Sequence, residues 1–98
     1  MHDLYRIVAM EVVGEHVLSL TFDDGLTRTI DLGPILAGTL YGPLRDPEFF
    51  RQVTIDPEVH TVVWPNGADF DPETLHNWPR YEAALTERAR QWQAAQAS

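Results

Sequence analysis

The sequence predicts an α+β fold: an antiparallel β meander plus a second hairpin, short helices packed on the sheet, and a longer C-terminal amphipathic helix. Three observations predict it. Apolar residues alternate with period two in "HVLSLTF" and again in "LTRTIDL", on either side of Asp24-Gly25. A second pair of β-branched runs, "VTIDPEVHTVVW", surrounds Asp56-Pro57-Glu58. The last segment, "RYEAALTERARQWQAAQAS", is alanine-rich and free of glycine and proline, which favours one continuous helix.

Element by element, residues 4–13 ("LYRIVAMEVV") carry apolar side chains on both alternating sets, the pattern of a strand covered on both faces. Gly14-Glu15 turns the chain. Leu18, Leu20 and Phe22 then share one face of the second strand, and Val17, Ser19 and Thr21 the other. Asp24-Gly25 predicts a type I′ turn, in which both central residues have positive φ. The third strand sets Leu26 and Ile30 opposite Thr27, Thr29 and Asp31. Residues 33–53, with three glycines and three prolines, predict short helical turns joined by loops. Asp46-Pro47-Glu48 fits a helix start, since a carboxylate caps free amides and proline wastes no donor. It presents Phe49, Phe50 and Val53 to the core. Asp71-Pro72-Glu73 repeats the signal ahead of "PETLH", and Trp78-Pro79 interrupts that helix. The chain divides into a single α+β domain over 1–78 and a helix over 79–98 packed on that domain or at a dimer interface. Trp78, Tyr81, Leu85, Arg88, Trp92 and Ala95 form one narrow stripe on this helix. Of these, Trp78, Tyr81, Leu85 and Trp92 are the candidate homodimer surface.

Composition excludes several classes of function. No cysteine is present, so disulfides and thiolate chemistry are absent. Seven arginines and no lysine stand against fifteen acids, a net charge of −8, which disfavours binding nucleic acid unaided. No basic leader or long apolar run is found, so a cytoplasmic location and no membrane contact are expected. Single glycines at turns build no phosphate loop, and lysine-dependent chemistry is excluded.

Candidate chemistry is sparse. His2, His16, His60 and His76 lie too far apart in sequence to pair on one strand or helix face, so no metal site is expected. Asp69, Asp71 and Glu73 alternate as calcium ligands do, but Pro72 breaks the loop pattern. Asp23 and Asp24 share a tight turn. Ser19 and Ser98, the two serines, lack the setting of a nucleophile, so no catalytic residue and no cofactor is expected. "WPNGADFDPETL" is the one stretch dense in polar chemistry. Asn66-Gly67 reads as a turn and Asp71-Pro72-Glu73 as a helix start. Trp64, Asn66 and Asp69 remain as a possible partner or ligand surface.

"LTFDDG", "IDLGPIL", "YGPLRDPEFFRQV" and above all "TVVWPNGADFDPETL" resemble, in order from Tyr5 to His76, the small bacterial domain-of-unknown-function family 2442. The resemblance implies a small α+β domain with an antiparallel sheet and no assigned activity. It also implies a gene set beside that of another small protein, an arrangement similar to toxin and antitoxin pairs. A non-enzymatic protein-interaction module, antitoxin-like and binding the product of the neighbouring gene, is the reading that follows. The alternatives are a DNA-binding regulator using the arginines of the C-terminal helix, and a small-ligand domain using the 64–73 loop.

Overall fold

The period-two run at Val17–Phe22 forms the middle strand, β2, between β1 (Ile7–Gly14) and β3 (Thr27–Asp31), in antiparallel order β1-β2-β3. The structure is a computed structural model that describes residues 5–97, the side chains of 96 and 97 excepted. Leu4, His2 and Ser98, named above, lie outside the described residues. Leu18, Leu20 and Phe22 are fully buried, as the alternation requires, and Ile30 joins them from β3. A second antiparallel pair follows, β4 (Thr54–Ile55) and β5 (Val62–Val63). The Ile7 amide of β1 donates to His60 O in the loop of this second hairpin, which ties the two sheets together.

Between the sheets the chain runs as predicted through short turns. A 3-10 turn at Gly33–Ile35 leads to α1 (Gly38–Tyr41), a second 3-10 turn at Gly42–Arg45, and α2 (Pro47–Phe50). Asp46 caps α2, its carboxylate accepting from Glu48 N at 3.0 Å. Phe50 and Val53 are buried and Phe49 is half-buried. Then come α3 (Pro72–His76) and, one residue later, α4 (Trp78–Ala97). The core lies between the inner sheet face and these helices, with Trp64, Trp78, Phe22 and Phe50 among its bulkiest members.

Three sequence expectations change. β1 is not covered on both faces: Val8 is 59% and Val13 49% exposed. The pairing with β2 shifts by one residue between Ile7 and Ala9 and again between Val12 and Gly14, so each valine is the extra residue of a bulge. The other inward residues, Met10 and Val12, keep phase with Leu20 and Leu18. Asp24-Gly25 is not a type I′ turn, because Gly25 has φ +92° while His60 is the one non-glycine residue with positive φ among the described residues. Gly25 N donates to Phe22 O, and Phe22 N donates to Leu26 O, which makes a three-residue loop closed by a left-handed glycine. Finally, Asp71 stands at the cap of α3, but its carboxylate faces Thr74 Oγ1 at 3.4 Å and no backbone amide.

The loop of 22–26 is repeated at 64–68. Gly67 N donates to Trp64 O, Trp64 N donates to Ala68 O, and Gly67 has φ +90°. A methyl group on Gly67 would meet nothing within 4 Å, so a substitution there acts on backbone strain alone. Gly67→Ala is therefore expected to cost about 1–2 kcal/mol. Gly42→Ala, at helical φ −54° and also in open space, is expected to be neutral or stabilising by up to about 1 kcal/mol. Urea unfolding of the two variants checks the contrast; equal midpoints would sink it.

Candidate functional site

The stretch 64–73 sorts into three roles. Trp64 is 3% exposed and belongs to the core, which corrects its place as a surface candidate. Its ring lies among Phe50 and Phe70, and its Nε1–H donates to Phe50 O at 2.9 Å. An indole is largely apolar, and here its one donor finds a carbonyl inside the fold. Asn66 is exposed but committed: Oδ1 accepts from Ala68 N at 3.1 Å and Nδ2 donates to Leu40 O at 3.0 Å, pinning the turn to α1.

Asp69, which no local rule places, is held through its backbone. It bridges Val63 in antiparallel fashion, and its carbonyl accepts from Tyr41 Oη at 2.8 Å. The neighbouring carbonyl of Phe70 accepts from the buried Thr61 hydroxyl. The Asp69 carboxylate is thereby left on the surface, and among the described residues it accepts no hydrogen bond.

Asp69 lines a cleft of about 400 Å³ between α4 and the body of the domain. From the body come Ile35, Ala37, Tyr41, Phe70 and Thr74, with Asp69 and Asp71. From α4 come Leu85, Arg88, Ala89 and Trp92. The size falls at the lower end of the roughly 300–1,000 Å³ of small-molecule sites. Burial raises the pKa of the Tyr41 phenol above its ordinary value, and the charge of Asp69 raises it further.

The helix stripe meets this cleft along a different line from the one expected. α4 packs on the 3-10 turn at Gly33–Ile35 and touches α1 and α3. Trp78 is 5% exposed and enters the core, so it is not part of a dimer surface. Tyr81 and Leu85 are half-buried against the chain's own body, with Tyr81 Oη donating to Glu73 Oε2 at 3.3 Å. Ala89, not Arg88, continues the seam, because a small side chain lets the helix approach while Arg88 stays exposed at the rim. Of the four stripe residues named for a homodimer, Trp92 alone remains exposed, at 43%. It stands at the mouth of the cleft.

Sequence reasoning had named Asp69 in one group and Leu85 and Trp92 in another; the fold brings all three to one cavity. It missed Tyr41, Phe70 and Arg88 as lining residues. Arg88 was visible as a charge interrupting an apolar stripe, which is the signal that could have found it. Tyr41 carried none.

A second polar cluster joins distant parts of the chain. His76, 12% exposed in its side chain, donates from Nε2 to Asp24 Oδ2 at 2.7 Å, while its Nδ1 lies 3.2 Å from Asn77 Oδ1. Tyr5 stacks on the imidazole at 3.8 Å and Phe22 meets it edge-on at 4.9 Å. Arg28 Nε donates to His76 O at 2.8 Å. The Asp24 carboxyl is lowered below its ordinary value, first by the Leu26 N–H and then by His76. Both ring nitrogens face partners within the fold, an arrangement that fastens the β2–β3 loop to the α3–α4 junction. Among the described residues no group of three or more histidines, aspartates or glutamates is placed to hold a metal ion. None of their helices is long and apolar enough to cross a membrane.

Compared with known proteins, the chain matches a family described as "Protein of unknown function (DUF2442)" over residues 7–81. No curated protein and no solved structure matches it.

Proposed function

Because the chain belongs to the DUF2442 family, whose description assigns no reaction, we propose that it is a non-enzymatic protein-interaction module, antitoxin-like, that docks the product of a neighbouring gene. The observation that carries this reading is the half-exposed Trp92 at the mouth of the cleft. Large aromatic side chains left in reach of solvent beside an apolar hollow are the usual anchors of protein interfaces. Leu40, next to Tyr41 in α1, is also exposed. The chain carries a net charge of −8, which speeds encounter with a basic partner.

Co-expression with the adjacent gene tests the proposal. The two products are expected to copurify at low salt, and Trp92→Glu is expected to weaken the complex by about tenfold or more while leaving the circular dichroism spectrum unchanged. Failure of the wild-type pair to copurify, or indifference of the complex to Trp92→Glu, overturns it.

The cleft itself favours a second reading, a small-ligand site walled by the 69–74 segment. Its volume and mixed lining are the supporting observation. A DNA-binding role finds less support: Arg90 is engaged with Glu87 on α4, and Arg88 faces the cleft.

A further inference from the structure

We propose that the cleft binds a free α-amino acid with an apolar side chain, recognised in its zwitterionic form. The inference rests on the small-ligand reading of the cleft and does not require a protein partner.

Two uncommitted charges of opposite sign line the cavity. Arg88, on α4, makes no ion pair among the described residues, whose salt bridges are Arg51–Glu48, His76–Asp24 and Arg90–Glu87. Asp69, on the body, likewise has no side-chain partner among them. The two are not within salt-bridge distance of each other although they share one cleft. Asp71 adds a second carboxylate on the side of Asp69, its Oδ2 facing the Thr74 hydroxyl at 3.4 Å.

Besides Tyr41 and Thr74, the remaining lining is apolar, with Ile35, Phe70, Leu85 and Ala89 as surfaces for a hydrocarbon group, together with the Trp92 indole. A neutral apolar ligand would leave both charges unanswered. An amine would answer Asp69 and place a like charge near Arg88, and a simple carboxylic acid would do the reverse. An ammonium and a carboxylate on one carbon answer both, and the side chain on that carbon fills the apolar floor. Charge-assisted hydrogen bonds of this kind are the stronger class, and the planar guanidinium suits a carboxylate.

The test uses the full-length protein and four probes: L-phenylalanine, L-phenylalaninamide, N-acetyl-L-phenylalanine and N-acetyl-L-phenylalaninamide. Trp64 and Trp78 are 3% and 5% exposed, so acrylamide quenching of tryptophan emission reports on Trp92. L-Phenylalanine is expected to shield Trp92 and raise the melting temperature, with L-leucine doing the same. Blocking either charge is expected to weaken binding by about tenfold, the loss of one charge-assisted contact. Arg88→Gln is expected to abolish the preference for phenylalanine over its amide, and Asp69→Asn the preference over its N-acetyl form. Both residues are exposed, so the variants are expected to fold normally. If the doubly blocked probe binds as well as the free amino acid, the cleft stands as a ligand site but the zwitterion is overturned. If no probe changes quenching or melting, both fall.

Discussion

Trp64→Ala is expected to remove about 3–5 kcal/mol of folding stability. Domains of this size typically hold about 5–15 kcal/mol in all, so the variant should be marginal at room temperature. The magnitude follows from place rather than residue type. The indole is nearly fully buried, lies 5.5 Å from the Phe50 ring and 5.8 Å from the Phe70 ring, and donates its only proton to Phe50 O. Removal opens a cavity in the core and leaves that carbonyl with the Val53 amide alone, at 3.3 Å. Trp64→Phe separates the two losses: the ring is largely kept and the donor is gone, for which about 0.5–1.5 kcal/mol is expected, because Phe50 O keeps its bond from Val53 N. Urea unfolding followed by far-ultraviolet circular dichroism measures both. A Trp64→Ala midpoint equal to wild type would show that this ring is not a core element.

The second large effect is expected at His76. Its imidazole is stacked on Tyr5, set edge-on to Phe22 and mostly buried, so His76→Ala should cost about 2–3 kcal/mol. The pairing with Asp24 adds a pH signature. The folded Asp24 carboxyl titrates below its ordinary value of 3.8, held there by the Leu26 amide and by His76. A lowered carboxyl stabilises the folded state fully above the unfolded value, and that contribution is lost as pH falls through the lower, folded value. Asp24→Asn should therefore be less stable than wild type at about pH 7, and the gap should close as pH falls through the folded value. Unfolding midpoints against pH decide the matter; a gap that widens as pH falls below 3.8 would contradict the assigned direction. Because Asp24 is exposed to solvent, salt should reduce the gap.

How much of this was legible in the sequence depends on whether the deciding contact is local. Leu18, Leu20 and Phe22 announce their burial by alternation alone, and Asp46 announces its cap, because both features involve neighbours in the chain. β1 was misread for the opposite reason. Its apolar residues on both faces suggested a doubly covered strand, whereas Val8 and Val13 are apolar residues displaced by bulges that pairing with β2 imposes. Asp24-Gly25 signalled a turn correctly and its type wrongly, since a dipeptide does not say whether two or three residues span the loop. Asp69 had no local explanation because its partners, Val63 and Tyr41, come from β5 and α1. The cleft was illegible as a unit: its walls come from residues 35–41, 69–74 and 85–92, and only the packing of α4 assembles them.

The two bulged valines have a consequence for the protein in a crowded cell. β1 forms one margin of the three-stranded sheet, and a regular, apolar margin is a template onto which another chain can add a strand. Bulges at Val8 and Val13 break the hydrogen-bonding rhythm near both ends of that margin, and the first amide of the strand is already taken by His60. A straight foreign strand finds no long run of matched donors and acceptors there. The irregularity that hid β1 from sequence pattern thus acts as a guard against self-templated aggregation, and lets exposed valines remain on the surface without inviting fibres.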